Sequence, residues 1–247
     1  MPENQARRLD WIERLSDIPP DWMRTVNGEI LQELERRGVS RLCHFTLISN
    51  LPSIFGLGGV QSVFQARQQN LVLTRMDQGR WDRQLGHVSL SIEYPNAFLM
   101  RRYGHVPVPN RPDERWKPLA VLDIDPRAIN WRTALFSPVN AATAGGDYLG
   151  SHIHHLQSLF APMVPNPNCP TRSQRHPLSC PTDMQAEVMI YGGVPLAAIR
   201  RVFVERTRDE RDAQNMRLPV PVARWPAIFH PDHLSGSIRR GEPPAAP

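Results

Sequence analysis

Lysine is almost absent from this chain of 247 residues, in which Lys117 stands beside 28 arginines. The net charge of +5 therefore depends on arginine, whose planar guanidinium binds phosphates bidentately and stacks on bases. That composition suits a nucleic-acid partner, but a GC-rich genome produces the same excess of arginine together with the 25 prolines. Charge alone therefore does not identify a partner.

Long apolar runs are also missing, since no stretch of about 18 apolar residues is present to span a membrane. The N-terminus is charged and amphipathic and has no apolar signal core, so we expect a cytoplasmic protein. Three cysteines without paired spacing argue against a disulfide framework. No dinucleotide-binding Gly-x-Gly-x-x-Gly, no phosphate-binding Walker sequence and no Gly-x-Ser-x-Gly nucleophile elbow occurs.

The chain divides into three segments by pattern. Residues 1–39 form a predicted helical extension, with helices over 1–18 and 22–37 separated by Pro19 and Pro20. Residues 40–225 form the main domain, and residues 226–247 form a Pro/Arg-rich, partly disordered tail. The length allows a full core without disulfides or metals.

Within the main domain, hydrophobic patterning predicts several elements. The predicted strands cover 87–92, 119–124, 185–190 and 199–205, and short helices follow Pro95 and Ser151. Residues 162–182 carry six prolines and two of the cysteines, which predicts a long loop. Loops of that length in a compact domain are usually functional or disordered, and we expect Arg172 and Arg175 on this loop to contact an acceptor.

One stretch organises the rest, Leu42-Cys43-His44-Phe45-Thr46-Leu47-Ile48-Ser49-Asn50-Leu51-Pro52 with a glycine cluster at 56–59. It predicts a buried strand that runs into a short helix capped by Asn50 and stopped by the glycines. The amide groups at such a helix start point outward and can bind an anionic or amide-bearing ligand. An ordinary strand–turn–helix connection has the same pattern.

Four blocks in order give the chain a family resemblance. They are His44-Phe45-Thr46 with Asn50-Leu51-Pro52-Ser53-Ile54, then Asp77-Gln78-Gly79-Arg80-Trp81-Asp82, then Val88-Ser89-Leu90-Ser91-Ile92 with Tyr94-Pro95-Asn96, then Gln185-Ala186-Glu187-Val188. This set resembles the DarT family of DNA ADP-ribosyltransferases. The resemblance implies an α+β fold with a split antiparallel β-sheet core surrounded by helices.

The resemblance also implies what the protein does. It implies an NAD-dependent transfer of ADP-ribose to a base of single-stranded DNA, with NAD as substrate and no metal. Members act as the toxin of a toxin–antitoxin or phage-defence system and are neutralised by a macrodomain-type antitoxin. Bases in a single strand expose their ring nitrogens and exocyclic amines without the cost of unpairing a duplex, which suits such a substrate.

Two residues are the catalytic candidates. Glu187 falls on the family's catalytic glutamate, which would support an oxocarbenium-like transition state and accept a proton from the nucleophile. By strand alternation alone Glu187 would face solvent. Arg80 matches the family's catalytic arginine, whose guanidinium would offset the pyrophosphate charge and position the nucleotide, and Arg75 and Arg83 are its nearest alternatives.

His44, Phe45, Thr46, Asn50 and Arg80 are the predicted NAD-binding residues. His44 suits a hydrogen bond to ribose or amide, and the backbone at Phe45 suits recognition of the nicotinamide carboxamide. A buried histidine with satisfied hydrogen bonds is the commoner structural role for a residue such as His44.

Three alternative interpretations remain. Cys169, His176 and Cys180, with the histidines at 152–155, are zinc-ligand types, but their spacing is not that of a zinc knuckle. The acceptor of an ADP-ribosyltransferase can also be RNA or protein. A non-catalytic nucleotide-binding module with the same fold is the third alternative, and labelled NAD with oligonucleotides discriminates it from an enzyme.

Overall fold

The computed structural model describes residues 21–69, 82–103, 117–131 and 133–247. The predicted helix over 1–18 and the candidate Arg80, together with its neighbour Arg75, lie outside these residues. Within them, nine strands form two sheets. Their bounds are Leu42–Leu47 (β1), Gly59–Gln61 (β2), His87–Ile92 (β3), Leu119–Ile124 (β4), Ala134–Ser137 (β5), Glu187–Tyr191 (β6), Gly193–Pro195 (β7), Ile199–Val204 (β8) and Val222–Arg224 (β9).

The same residues contain seven α-helices. Their bounds are Asp21–Arg36 (α1), Leu51–Gly56 (α2), Val63–Gln68 (α3), Ala97–Arg102 (α4), Ile153–Ser158 (α5), Thr207–Asn215 (α6) and Pro231–Arg240 (α7). Short 3₁₀ segments lie at 48–50, 126–131, 143–146, 196–198 and 226–229. None of these helices is long and apolar enough to cross a membrane.

The large sheet has seven strands in the order β5-β6-β3-β1-β4-β8-β9. All neighbours are antiparallel except β8 and β9, which are parallel. β1 pairs with β4 along its full length, but it pairs with β3 only at Leu42–Ile92 and Cys43–Ser91. Beyond Cys43 the sheet therefore divides into a three-stranded half (β5, β6, β3) and a four-stranded half (β1, β4, β8, β9). The predicted mixed fold is confirmed.

Apolar side chains fill both faces of the sheet, as expected for a sheet covered on each side. On one face, α1 packs through Ile30 and Leu34 against strand residues that include Leu42 and Leu122. On the other face, Cys43, Val121 and Phe203 pack with helices α4 and α7. The division between β3 and β1 thus lies in a sheet whose two faces are both covered by buried apolar side chains.

The tail is the main correction to the sequence prediction. Residues 226–229 and α7 are ordered, and Leu234 and Ile238 lie on the buried side of α7 within the core. The helix begins at Pro231 and ends at Arg240, and Gly241 caps it in a left-handed conformation with φ of 80°. Only two apolar residues at i, i+4 spacing signal this helix, and the surrounding Pro and Arg hide them.

Helix α6 is the second element that patterning did not predict. Its sequence, Thr-Arg-Asp-Glu-Arg-Asp-Ala-Gln-Asn, contains a single apolar residue, Ala213, which is fully buried. A helix that contacts the core through one alanine carries no apolar stripe, so its period of 3.6 is invisible in the sequence. Strands β5 and β9 were likewise not predicted, because each has only three or four residues.

Candidate active site

Glu187 is the first residue of β6, where it lies opposite Ser137 of β5. It is 7% exposed, so the solvent-facing position suggested by strand alternation is wrong. Its Oε1 accepts hydrogen bonds from Asn140 Nδ2 at 2.9 Å and from the amide of Ala141 at 3.1 Å. A buried carboxylate needs such donors, because an unpaired charge away from water is costly.

The two donors belong to the turn that follows β5. Asn140 also accepts, through Oδ1, the amide of Ala142 at 3.1 Å, and its carbonyl accepts the amide of Thr143 at 2.9 Å. The chain then passes through three residues with positive φ, Ala144, Gly145 and Gly146. Sequence reasoning missed Asn140; its only signal is an Asn before a small-residue, Gly-Gly turn.

His44 and Thr46 share one face of β1, just past the point where the sheet divides. The ring Nδ1 of His44 is 3.0 Å from the carbonyl of Ser89 on β3, so this contact bridges the two halves. The β3–β6 register, extended by one residue, places Glu187 level with Ser91, which pairs with Cys43. Glu187 therefore lies two strands away from Cys43, the residue before His44, and in the same row across the sheet.

Asn50 and Phe45 complete the predicted group on β1. Asn50 precedes α2 but makes no side-chain capping bond; its amide donates to Thr46 Oγ1 at 3.2 Å instead. This differs from the predicted cap and ties the helix start to the strand. The Phe45 ring is partly buried, with its centroid 6.4 Å from that of Tyr103.

The end of the predicted arginine segment meets the Asn140 turn. Asp82 is buried and accepts the amide of Gln84 at 2.7 Å. Its carbonyl is 3.8 Å from where a Cβ on Gly146 would stand. Arg83, the nearest alternative to Arg80 that the structure describes, is exposed and has a positive φ of 58°.

Side-chain hydrogen bonds to backbone carbonyls of the same loop hold the Pro-rich loop in place. Arg172 donates to the carbonyls of Pro177 at 2.6 Å and Cys180 at 2.7 Å, so its guanidinium is used inside the loop. Arg172 thus has a structural role in the loop, and its contact with an acceptor stays a prediction. Arg175 is exposed and remains a candidate.

A cavity of about 190 Å³ lies between this loop, the end of β3 and helix α7. His176 and Cys180 line it, as does Gln185, two residues before Glu187. Burial lowers the pKa of His176 to about 4 and raises that of the Cys180 thiol to about 12. Both groups are therefore neutral at pH 7.

The zinc interpretation finds no support in the arrangement of side chains. Across the four described ranges, no three His, Cys, Asp or Glu residues are grouped so as to hold a metal ion. The rings of His154 and His155 are 4.0 Å apart, and burial lowers the pKa of His155.

With the fold and the site in view, comparisons identify the family. The family model described as "ssDNA thymidine ADP-ribosyltransferase, DarT" matches residues 43–234, which is most of the chain. The chain belongs to the DarT family. The predicted family and the predicted DNA ADP-ribosyltransferase activity are confirmed. A comparison with curated protein sequences finds no match.

Solved DarT structures share the fold. The chain is similar to Thermus sp. 2.9 DarT in complex with NAD+, with 14% identity, a TM-score of 0.53 and coverage of 77% of this chain and 98% of that one. The same Thermus protein in complex with ADP-ribosylated ssDNA gives a TM-score of 0.56 at 14% identity, covering 78% and 97%. Thermosipho africanus DarTG in complex with ADP-ribose gives 0.52 at 14% identity, covering 77% and 51%.

Proposed function

We propose that this DarT-family enzyme transfers ADP-ribose from NAD to a thymidine base of single-stranded DNA, with Glu187 as its catalytic carboxylate. The observation that supports this most is the burial of Glu187 beside the division of the sheet, with one carboxylate oxygen held by two donors. A fixed carboxylate stabilises positive charge that develops in a transition state, since it needs no reorganisation when the reaction occurs.

The chemistry breaks one bond and forms another at C1′ of the nicotinamide ribose. The C1′–N bond breaks and its electron pair leaves with neutral nicotinamide, giving the ribose oxocarbenium character. We assign to Glu187 the support of that charge, through a hydrogen bond from a ribose hydroxyl. A nitrogen of the acceptor base then bonds to C1′ and loses its proton, for which Glu187 is also the candidate acceptor.

The NAD itself is proposed to lie along the division, against His44, Phe45 and Thr46. The contact of His44 Nδ1 with the Ser89 carbonyl fixes the orientation of the imidazole at this edge. Thr46 is buried and tied to Asn50, so the start of α2 has a fixed position relative to β1. A preorganised site of this kind lowers the entropic cost of binding a long dinucleotide.

Thymine limits the possible acceptor atoms. It has no exocyclic amine, and once N1 carries the deoxyribose its single N–H is at N3. A thymidine acceptor therefore implies transfer to that ring nitrogen or to an oxygen. The solved relatives include a complex with ADP-ribosylated ssDNA, which supports DNA over RNA or protein as acceptor.

The cellular role follows from this chemistry. A modified base obstructs replication, so we propose that the enzyme acts as a cytoplasmic toxin in a toxin–antitoxin or phage-defence pair. The solved DarTG relative, in complex with ADP-ribose, supports such a pairing. The proposed antitoxin is a macrodomain protein, which would bind and remove the ADP-ribose.

The deciding experiment uses labelled NAD with four acceptors: a thymidine-containing single strand, the same strand with N3-methylthymidine, an RNA strand and total protein. Label is expected on the first strand, with none on RNA or protein, and its loss on the methylated strand would assign the attack to N3. If label appeared only on protein or RNA, that molecule would be the acceptor and the proposal of a DNA acceptor would be wrong.

The matched enzyme variant is Glu187→Gln, which keeps the size and the acceptor oxygen of the side chain. Transfer is expected to fall by at least about a thousandfold, while NAD affinity changes little, because the lost contact acts in the transition state. Expression of wild-type protein alone should arrest bacterial growth, and the variant should not. Near wild-type transfer by Glu187→Gln would remove Glu187 from the mechanism.

A further inference from the structure

One turn supplies two hydrogen-bond donors to the carboxylate of Glu187. Its Oε1 accepts Asn140 Nδ2 at 2.9 Å and the Ala141 amide at 3.1 Å, so two neighbouring residues donate to one oxygen. Hydrogen bonds to a carboxylate are stronger than those between neutral groups. Two of them on one oxygen fix the plane of the carboxyl group and hence the direction of the other oxygen.

The orientation of the Asn140 amide is determined by a second bond. Its Oδ1 accepts the backbone amide of Ala142 at 3.1 Å, a bond that only the oxygen can make. The nitrogen must therefore be the atom that faces Glu187, and an amide flip would break both contacts. Asn140 thus has two separable roles: its oxygen holds the turn and its nitrogen holds the carboxylate.

The same arrangement occurs once more in the described part of the chain, at an acid four residues before Glu187. Asn166 donates from Nδ2 to Asp183 at 2.7 Å and accepts the amide of Asn168 at 3.0 Å. An Asn that closes a turn and holds an acid is thus a local motif of this fold. The Asn166 pair supplies an internal control for the structural part of the role.

Uncharged side chains lie level with Glu187 on the neighbouring strands. They are those of Ser137, Ser91 and Cys43. Burial raises the pKa of the Cys43 thiol well above its ordinary value, which keeps it neutral. The acid at Asp82, by the turn, accepts the Gln84 amide. A negative charge at position 140 would replace the Nδ2 donor that is 2.9 Å from Glu187 Oε1, so it would act on that carboxylate directly.

We propose that Asn140 is a positioning residue for ADP-ribose transfer, one that aims the Glu187 carboxylate at the ribose and favours its ionised form. This inference rests on the proposed role of Glu187. Asn140 itself is not assigned any contact with NAD or DNA.

The test separates the two roles of Asn140 by substitution. Asn140→Asp keeps the oxygen that accepts the Ala142 amide but replaces the donor with a second carboxylate. Two carboxylates that share a site cannot both ionise readily, so protons are retained to higher pH. The acid limb of the kcat profile should move upward by about one pH unit or more, with kcat at pH 7 reduced roughly 10- to 100-fold.

The controls are the KM for NAD, the unfolding midpoint and the Asn166 pair. KM should stay within about threefold, since the carboxylate acts mainly in the transition state. Asn166→Asp makes the matching change against Asp183 and should leave the acid limb where it is in the wild type, whatever its rate. A shift of the limb in both variants would indicate a general charge effect and overturn the proposal.

If Asn140→Asp does not fold, Asn140→Ala is tested in its place, because the alanine adds no charge. At pH 7 it should lower kcat at least about tenfold, again with KM nearly unchanged. An unchanged acid limb and a kcat within twofold of wild type in a folded variant would refute the role of Asn140. The control Glu187→Gln keeps the two hypotheses apart: if that variant is inactive while Asn140→Asp is normal, only the positioning inference fails.

Discussion

At the scale of single residues, the buried acid is the feature from which the site is built. Glu187 lies at the start of a strand whose following residues are apolar, and its charge is supported by donors from a different part of the chain. The second catalytic candidate is Arg80, whose guanidinium is expected to bind the pyrophosphate. Its role stays a prediction from the sequence. The backbone of Asp82 beside Gly146 supports that assignment, because it brings the end of the segment to the Asn140 turn.

The prediction at this scale concerns Arg80. Arg80→Ala should lower transfer by about 100-fold or more, and Arg80→Lys should not restore it, because an ammonium cannot make the two parallel bonds of a guanidinium. Rates with labelled NAD and thymidine-containing single strands measure this. Arg75→Ala and Arg83→Ala are the controls. An inactive control beside a normal Arg80→Ala would move the catalytic arginine to that position.

At the scale of elements, the Pro-rich loop shows how an irregular segment becomes rigid. Arg172 holds two carbonyls of the loop, Thr182 donates to the carbonyl of Ala161 at 2.6 Å, and His176 Nε2 donates to the carbonyl of Pro181 at 2.9 Å. A loop that makes its own hydrogen bonds behaves as a folded element despite its lack of helix or strand.

The pH dependence of stability tests this description of the loop. His176 is neutral in the fold because burial, and then the charge of Arg172, lower its pKa from 6.5 to about 4. Between about pH 4 and pH 6.5, His176 is therefore protonated in the unfolded chain but not in the folded chain. This contribution to the free energy of unfolding is complete above about pH 6.5 and is lost as the pH falls towards 4, by up to about 3 kcal/mol.

Urea unfolding of wild type and His176→Gln at pH 7.5 and 4.5 measures the effect. The glutamine can still donate to Pro181 but does not titrate, so the wild type should lose more stability on acidification than the variant. Equal losses in the two proteins would mean that His176 is not buried in the neutral form.

The elements that sequence alone predicted share a strong apolar pattern. Strands β3 and β4 were predicted with their observed bounds, because β3 alternates and β4 is an almost continuous apolar run. Helix α1 was predicted within one residue at each end, because its apolar residues repeat every four positions. Helices α6 and α7 were not, since α6 has one buried aliphatic side chain, Ala213, and α7 has two, Leu234 and Ile238, which leaves no period to detect. Glu187 and the β1 residues were found through family motifs, whereas Asn140 was not, because its role depends on a contact across 47 residues.

At the scale of the whole molecule, the last twenty residues complete the core. Helix α7 buries Leu234 and Ile238 against the sheet. The residues that follow α7 make hydrogen bonds to earlier parts of the chain. The hydroxyl of Tyr94 donates to the carbonyl of Pro244 at 3.0 Å, and Arg201 donates to that of Pro247 at 2.6 Å. The final segment thus joins elements that are more than a hundred residues apart in sequence.

Leu234→Ala tests whether α7 is part of the folded domain. The side chain is fully buried, so its truncation should cost about 2–5 kcal/mol of unfolding free energy in urea titration. His233→Ala, on the exposed side of the same helix, is the control and should change stability by less than about 0.5 kcal/mol. If Leu234→Ala left the unfolding free energy unchanged, the disordered tail predicted from composition would be the better description.

The strand order has a consequence for synthesis of the protein on the ribosome. β6 inserts between β3 and β5, both of which are translated well before it, and β8 pairs with β4 across about 80 residues. Pairings so distant in sequence form late, because the intervening chain must first be made and its loop closed. A growing chain that ends before residue 187 contains the strand proposed to bind NAD but lacks the glutamate proposed to be catalytic. Under the proposed function, only nearly complete chains are therefore toxic, and chains whose translation stops earlier are harmless to the cell.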